Sequence, residues 1–441
     1  MKLNITEGAA RITDRLNKAG YRAYIAGSTV RELLLSMTPN CYEIVTNAAP
    51  EDIKSLFRHT IDAGTGNNTI TVVENKTGYE VTSMYCDNAA DDGRCADEER
   101  GELCRQRDFT INAVLYNPNE GIVDYYGGRQ DMADGLIRCV GDPEQCFRAD
   151  ALGMLRAVRL SAVLDFKIEQ QTARAIRKCA VLIKKADHGK IRDELNKILL
   201  SKHPDKIREL HRLGLLRFII PELERCFGEP QKNKYHIYDV GEHIMHTVIN
   251  TPPDLVLRWS ALLHDTGKPC CPSTDANGII HFYGHHRESR RISVDVLHRL
   301  RMDADMIKDI AMLVENHDYR VDANYTAVKR MMSKTGAELF EKLLILQKAD
   351  NMAKNPAHLP DKLKRIECGL GIYRQVIARK QPYRISDLAV NTRDLINIGV
   401  RQGREAGDML KALLDEVIIR PELNTHAYLL KRAKEIKRGR K

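Results

Sequence analysis

The pentapeptide His264-Asp265-Thr266-Gly267-Lys268 places two metal-ligating side chains side by side and a lysine shortly after them. Histidine supplies a borderline nitrogen ligand, and an aspartate can bridge two cations through its two carboxylate oxygens. Lys268 could neutralise the charge that develops on a phosphate in the transition state. Residues of the same types precede and follow the pentapeptide, and the candidate metal ligands are His243, His264, Asp265, His285, His317 and Asp350. The pattern predicts a two-metal hydrolytic centre in which Asp265 and Lys268 are catalytic.

The order of these ligands, H…HD…H…H…D, resembles the HD phosphohydrolase superfamily, an all-helical fold whose metal ligands come from different helices. The resemblance implies a first metal set of His243, His264, Asp265 and Asp350. His285 and His317 would complete a second site, with His286 as a substitute for His285. It also implies phosphatase or phosphodiesterase activity, including activity on 2′,3′-cyclic phosphates. A site of histidines and carboxylates accepts Mn, Fe, Co, Ni, Zn or, less readily, Mg.

The elements that must position these residues are expected to be helices, because helical periodicity dominates from Asp142 onward and strand signals stop there. Amphipathic segments cover residues 151–164, 172–186 and 190–200. Before that point, segments rich in Val, Ile, Thr and Tyr predict strands at residues 21–26, 42–46, 69–73 and 79–83, with a turn and helix at 27–36. The sequence therefore predicts an α+β fold, a small α/β head followed by a long helical body.

Bulk composition limits the classes of protein to consider. A chain of 441 residues suggests about three domains, and 43% hydrophobic with 29% charged residues is typical of a soluble globular protein. The net charge of +9 indicates a polyanionic partner, and basic residues gather at 174–206 and 431–441. Eleven scattered cysteines without a CxxC pair argue against a disulfide framework and for a reducing cytoplasm. No apolar run has the length of a membrane span, and the polar, amphipathic residues 1–16 do not resemble a signal peptide.

Several head segments, read in order, resemble the class II tRNA nucleotidyltransferase and poly(A) polymerase family. They are residues 24–35 (YIAGSTVRELLL), 39–46 (PNCYEIVT), 79–83 (YEVTS), 107–113 (RDFTINA), 122–128 (IVDYYGG), 137–143 (IRCVGDP) and 155–159 (LRAVR). The resemblance continues through the metal-ligand region to residues 388–425. Bacterial CCA-adding enzymes with a fused HD domain look like this over nearly the whole chain.

This resemblance implies a layout of four parts. They are a polymerase-β-like nucleotidyltransferase head at 1–141, a helical neck for nucleotide and RNA at 142–230, the HD domain at 231–356 and a helical tRNA-binding tail at 357–441. The implied partners are tRNA or another RNA, and nucleotides such as CTP and ATP. The implied nucleotide-binding residues are Gly27, Arg31, Arg107, Asp108, Asn112, Asp150, Arg156 and Arg159.

The head departs from the family pattern at chemical positions. Nucleotidyl transfer needs two carboxylates, two residues apart on a strand, to hold Mg²⁺, and the matching positions here are Cys41 and Glu43. A thiol is a poor ligand for a hard cation, and the glutamate carboxylate lies one methylene further from the backbone. The base-reading arginine of the family is replaced by Gly153, and its Gly-Gly turn is Gly27-Ser28. Mg²⁺ binding at the head, with Glu43 as its catalytic carboxylate, is therefore expected to be weakened.

The favoured interpretation is an RNA-processing phosphohydrolase on a CCA-adding frame, acting on RNA 3′ ends or nucleotides, with nucleotidyl transfer impaired. A first alternative is an active CCA-adding enzyme that uses Glu43, Glu80 or Asp108 in unusual metal roles. A second is a non-catalytic RNA-binding protein whose metal site is structural. The sequence leaves the HD substrate, the identity of the metal and the oligomeric state open.

Overall fold

A computed structural model describes residues 2–62, 68–84, 96–231 and 235–439. Contacts divide the chain into two compact units, Met1–Glu194 with Glu209–Ile219, and Leu195–Arg208 with Ile220–Lys441. The first unit contains a mixed sheet, and the second is largely helical. The last two residues of the basic tail, 440 and 441, lie outside the described part of the chain.

The first unit contains the long strands. They are β1 (Ala23–Ile25), β2 (Tyr42–Thr46), β3 (Thr60–Asp62), β4 (Thr69–Glu74), β5 (Thr77–Ser83), β6 (Val114–Asn117) and β7 (Gly121–Asp124), with short β8 (Leu136–Ile137) and β9 (Lys167–Ile168). The helices up to residue 219 are α1 (Glu7–Lys18), α2 (Gly27–Leu34), α3 (Pro50–Leu56), α4 (Ala96–Arg105), α5 (Gly128–Asp134), α6 (Pro143–Ala149), α7 (Gly153–Leu164), α8 (Gln170–Cys179), α9 (His188–Leu200), α10 (Ile207–Arg212) and α11 (Leu216–Ile219).

The sheet has the order β3-β4-β5-β2-β1-β6-β7. Its central pair, β2 and β5, is parallel and sets Glu43 opposite Glu80, whereas the other neighbours are antiparallel. Tyr24, Val45 and Leu115 of three neighbouring strands join one buried cluster. Because β-branched and aromatic residues suit a pleated, half-buried surface, the sheet forms where these residues concentrate.

The second unit carries the remaining helices. They are α12 (Pro221–Glu224), α13 (Val240–Ile249), α14 (Leu255–Leu263), α15 (His285–Arg299), α16 (Ala304–Asn316), α17 (Tyr325–Thr335), α18 (Ala337–Met352), α19 (Leu359–Ala378), α20 (Thr392–Asn397), α21 (Arg404–Ile419) and α22 (His426–Gly439). A short hairpin, β10 (Ser273–Thr274) with β11 (Ile280–His281), precedes α15. Trp259 of α14 is fully buried in this unit and donates a hydrogen bond to Asn196 at 2.7 Å.

The predicted α+β class is confirmed, and all four predicted strands appear within two residues of their expected bounds. The first strand is shorter than predicted, and β3, β6 and β7 were not predicted. The expectation that strands end before Asp142 is wrong in detail, because β9, β10 and β11 follow. Each of those strands has two residues, too few for an alternating pattern to be visible in the sequence. No helix among the described residues is both long and apolar enough to cross a membrane.

Candidate functional site

Helices of the second unit position the six candidate metal ligands. His243 lies on α13, His264 and Asp265 follow α14, His285 begins α15, His317 follows α16, and Asp350 lies near the end of α18. Three of these helices begin at an aspartate whose side chain accepts hydrogen bonds from the first-turn backbone: Asp239, Asp254 and Asp303. Such caps satisfy backbone N–H groups that would otherwise lack partners, so they fix where each helix starts.

Asp265 lies between two pairs of histidines. Its Oδ2 is 3.3 Å from Nε2 of His243 and 3.1 Å from Nε2 of His264. Its Oδ1 is 3.3 Å from Nε2 of His285 and 3.5 Å from Nε2 of His317. Two ligand groups therefore share this one carboxylate. All five side chains are buried.

Asp350 adds a second carboxylate to the first group, because its Oδ1 lies 3.0 Å from Nε2 of His243 and 3.7 Å from Nε2 of His264. The structure thus brings all six predicted ligands together. His286 lies outside both groups, with its ring centroid 5.9 Å from that of His285.

The other ring nitrogen of each histidine faces a backbone carbonyl. The Nδ1 distances are 3.3 Å for His243 to Ala353, 2.8 Å for His264 to Ala261, 2.7 Å for His285 to Phe282 and 2.7 Å for His317 to Val314. Because a carbonyl can only accept, Nδ1 is the donor in each contact, which leaves Nε2 as the ring atom that could bind a metal. Contacts of this kind fix the tautomer and the orientation of histidines that bind metals.

Two carboxylate oxygens at the centre have no partner. Oδ1 of Asp265 and Oδ1 of Asp350 are buried and accept no hydrogen bond from any described residue. An unpaired buried carboxylate oxygen is costly. Divalent cations would satisfy the lone pairs of both, so the residues present fit a pair of metal ions of borderline softness.

Two lysines, the buried Lys268 and the partly buried Lys354, stabilise the ionised form of the carboxylates. Lys268 Nζ is 2.6 Å from Oδ2 of Asp265, and Lys354 Nζ is 2.6 Å from Oδ2 of Asp350. Burial alone would raise the pKa of both aspartates, but His264 and Lys268 bring the pKa of Asp265 well below its usual value, and Lys354 does the same for Asp350. Both carboxylates are therefore charged and able to bind metal at neutral pH.

A cavity of about 650 Å³, here called the metal cavity, opens onto this centre. Asp265, Asp350, Lys268 and Lys354 line its floor, and residues 279–284 line its rim. On the rim, Tyr283 stacks against His281 with centroids 5.3 Å apart and planes at 11°, and the Tyr283 side chain remains 75% exposed. A cavity of this size suits a small molecule or the end of a larger one.

Sequence reasoning missed Lys354, His236 and Gln231, which surround the centre. Gln231 accepts a hydrogen bond from Lys268 at 2.7 Å, and the His236 ring lies edge-on to His243 at 5.1 Å. Burial and the nearby Lys268 lower the pKa of His236 to about 2, so its ring is neutral. The i,i+4 spacing of Asp350 and Lys354 was a usable signal, because such pairs face each other on a helix.

Gly267 lets α15 approach the metal ligands. A Cβ at this position would lie 2.5 Å from the backbone nitrogen of Ser289 and 2.6 Å from the carbonyl oxygen of His285. Gly267→Ala is expected to push α15 outward, to lower the free energy of unfolding by about 1–3 kcal/mol and to weaken metal binding at the His285 group. Thermal denaturation and metal analysis of the purified protein measure both effects.

Gly371→Ala is the matched control, because Gly371 lies inside α19 and a Cβ there meets no atom within 4 Å. This control should raise stability by up to about 1 kcal/mol through helix propensity and keep the metal content. An unchanged melting temperature and full metal content in Gly267→Ala would contradict the close approach of α15.

In the first unit, Glu43 lies against the start of α2. Its Oε1 pairs with Nη1 of Arg107 at 2.5 Å. Gly27 has φ +63°, and a Cβ on it would overlap Oε2 of Glu43. The Glu43 carboxylate therefore occupies the space beside the backbone of Gly27, where only glycine leaves room for it.

Five of the other predicted nucleotide-binding residues form one hydrogen-bonded chain. Arg31, which is buried, donates to Asn112, and Asn112 donates to Asp108 at 2.9 Å. Arg156 joins the chain by donating to Asp108 at 2.9 Å and to Asp150. Burial lowers the pKa of Arg31, although the guanidinium stays charged. The structure brings these five together.

The remaining head positions do not join this hydrogen-bonded chain. Arg159 pairs with Glu194 at 2.5 Å. Partial desolvation raises the pKa of the Cys41 thiol, and the neighbouring Glu80 and Glu43 carboxylates raise it further. The thiol therefore stays protonated at neutral pH. A protonated thiol is not a ligand for Mg²⁺. Gly153 begins α7, and a Cβ there would make only ordinary contact with Phe147, at 3.5 Å.

Three family models match successive parts of the chain. The Poly A polymerase head domain matches residues 23–138, and the probable RNA and SrmB-binding site of polymerase A matches residues 165–227. The putative tRNA nucleotidyltransferase domain 2 matches residues 285–433. The three models follow the order of the resemblance described above.

Relatives match along most of the chain. The CCA-adding enzyme of Ligilactobacillus salivarius is 29% identical over 97% of this chain and 96% of its own length. The A-adding tRNA nucleotidyltransferase of Deinococcus radiodurans is 33% identical over 70% of this chain and 74% of its own length.

Solved structures share the fold. The CCA-adding enzyme of Bacillus stearothermophilus in complex with CTP superimposes with a TM-score of 0.71 at 24% identity, covering 98% of this chain and 97% of that one. The Thermotoga maritima CCA-adding enzyme complexed with tRNA gives a TM-score of 0.58 at 18% identity, covering 98% and 96%.

Proposed function

The chain belongs to the class II tRNA nucleotidyltransferase and poly(A) polymerase family, and from that premise we propose that it is a tRNA-processing enzyme whose chemistry is carried by the HD centre. The reaction is hydrolysis of a phosphoester at an RNA 3′ end or on a nucleotide. The partners are tRNA and nucleotides, as in the relatives named for CCA addition.

The position of Asp265 carries this proposal. One carboxylate faces two pairs of histidine Nε2 atoms at 3.1–3.5 Å, one pair on each oxygen. A site built only for packing or for stability would not leave Oδ1 of Asp265 and Oδ1 of Asp350 unpaired at the base of an open cavity.

Bound divalent cations supply Lewis acidity toward a phosphate ester and lower the pKa of water. The protein's own groups orient the reactants. The histidines, each fixed through Nδ1, hold the metal positions, and Lys268, on the cavity floor, is placed to offset negative charge on the phosphoryl group. Water forms the new bond to phosphorus, the bond to the ribose oxygen breaks, and that oxygen takes up a proton.

Nucleotidyl transfer by the head is proposed to be impaired. The Glu43 carboxylate is paired with Arg107 against Gly27, and its strand neighbour Cys41 offers a protonated thiol. Neither Cys41 nor Glu43 therefore offers a free, well-placed carboxylate, and a misplacement of about 1 Å costs roughly a hundredfold in rate.

The test uses the full chain in two parallel assays. One measures release of phosphate, or ring opening, from 3′-phosphorylated and 2′,3′-cyclic nucleotides with Mn²⁺, Co²⁺, Ni²⁺, Zn²⁺ and Mg²⁺. The other measures incorporation of labelled CTP and ATP into tRNA that lacks its 3′ CCA. Hydrolysis with weak incorporation is expected. Incorporation without hydrolysis in any metal would overturn the proposal, and tight tRNA binding without either turnover would assign a non-catalytic RNA-binding role.

A second candidate function is an active CCA- or A-adding enzyme. The unbroken chain from Arg31 through Asp108 to Asp150 favours it, because nucleotide-binding positions remain connected. Glu80, directly opposite Glu43 in the parallel pair, offers a further carboxylate. Incorporation that is lost in Glu43→Ala and kept in Asp265→Ala would establish this function instead.

A further inference from the structure

Two smaller cavities continue from the metal cavity across the surface of the second unit. The middle cavity, about 370 Å³, shares His286 and Asp318 with the metal cavity. The outer cavity, about 350 Å³, shares Tyr319, Arg320 and Lys334 with the middle one. Shared lining residues make the three cavities neighbours in one line that ends at the metal ligands.

The middle and outer cavities are rich in exposed cations. Arg287, Arg320, Arg330 and Lys334 line them, and all four side chains are exposed. Within the described residues, Arg287, Arg330 and Lys334 form no ion pair with a carboxylate. Arg320 has only a 3.9 Å contact with Asp322, and both side chains are about 70% exposed. The three arginines are available to a polyanion, whereas Lys334 already donates a hydrogen bond to Asn316 at 2.9 Å.

The acidic residues of the same surface do not cancel this charge. Glu315 is already paired with Arg290 at 3.2 Å. Asp318 lies at the junction with the metal cavity, on the side of the candidate metal ligands. The excess of positive charge thus increases away from the metal centre.

Tyr319 lies where the middle and outer cavities meet, and its side chain is 59% exposed. A basic groove that carries exposed aromatic rings is the common means of holding single-stranded nucleic acid, because phosphates meet the cations and bases stack on the rings. A mononucleotide would fit in the metal cavity alone and would leave this groove unused.

We propose that the middle and outer cavities form a track for single-stranded RNA, which leads a phosphorylated 3′ end to the metal centre. This proposal rests on the hydrolase function proposed above, and it specifies that the substrate is the 3′ end of a polynucleotide. Phosphates upstream of the reacting group contact Arg287, Arg320 and Arg330, and an upstream base stacks on Tyr319. The bond-breaking chemistry is unchanged by the track.

The experiment compares kcat/KM for cytidine 3′-phosphate with that for RNA tetramers and hexamers that end in the same 3′-phosphorylated residue. The oligonucleotides are expected to be at least about tenfold better substrates for the full chain. Arg320→Ala and Tyr319→Ala should remove most of this advantage and leave hydrolysis of the mononucleotide unchanged, while Tyr319→Phe should keep the advantage. Arg320→Ala should also reduce the salt dependence of oligonucleotide binding by about 0.7 in log–log slope, as expected for one lost contact to a single strand.

Lys308→Ala is the charge-matched control, because Lys308 is exposed on α16 and lines none of the three cavities. The track would be overturned, and the hydrolase kept, if kcat/KM were the same for the mononucleotide and for every oligonucleotide. The same conclusion would follow if Arg320→Ala lowered kcat/KM equally for the mononucleotide and the oligonucleotides. Hydrolysis of neither substrate would overturn the proposed function and the track with it.

Discussion

Asp265→Asn should lower kcat for phosphoester hydrolysis by about a thousandfold or more, because it removes the carboxylate that both metal groups share. An amide has one oxygen acceptor where the carboxylate has two, so it cannot bind two cations. It also leaves the buried Lys268 ammonium without its partner at 2.6 Å. Initial rates over a range of substrate concentrations, with metal content measured on the same samples, test this expectation.

Two single variants serve as controls for this prediction. His285→Ala should lose the ligand of the second group and most of the activity, whereas His286→Ala should retain both ions and most of the rate, since His286 lies outside the ligand groups. If Asp265→Asn kept a tenth of the parental kcat, hydrolysis would have to occur at another place in the protein.

The second large effect concerns the head. The triple variant Cys41→Asp, Glu43→Asp and Gly153→Arg should raise incorporation of CMP and AMP into tRNA lacking CCA by about a hundredfold or more over the parent. Aspartate at 41 offers a hard oxygen ligand in place of a protonated thiol. A shorter side chain at 43 withdraws from Gly27 and from Arg107.

The change at Gly153 restores a side chain that can read the incoming base through two hydrogen bonds. The first atom of this side chain fits, because an added Cβ would contact only the Phe147 ring, at 3.5 Å and 3.6 Å. The double variant at 41 and 43 alone separates metal binding from base selection. Rapid incorporation by the parent, or none by a folded triple variant, would contradict this account of the head.

That the six candidate ligands lie together could be predicted from the sequence, because metal chemistry restricts both the residue types and their order. His243 and Asp350 are more than a hundred residues apart, yet each is a ligand type in the expected place. The carbonyl partners of Nδ1 could not be predicted, since Ala353 meets His243 only through tertiary packing. His236 carries no local signal and enters the site in the same way.

In the head, the sequence showed which chemical residues were altered but not what they do instead. The contact of Glu43 with Arg107 beside Gly27 depends on how β2 meets the start of α2, which no local pattern encodes. The strands β6 and β7 escaped prediction because each has four residues and neither shows a clear alternation. Long helices were predictable because their apolar residues recur with a clear helical period over many residues.

The ligands of the centre come from α13, α14, α15, α16 and α18, spread over residues 243–350. No short stretch of the unfolded chain can reproduce their arrangement, so cations at the proposed centre would bind the folded second unit far better than the unfolded chain. At a free metal concentration of about a hundred times Kd, this preference adds roughly 2.7 kcal/mol to folding for each ion. The abundance of the protein in a cell would then follow the supply of its metal, since molecules made during metal scarcity unfold more often and are degraded sooner.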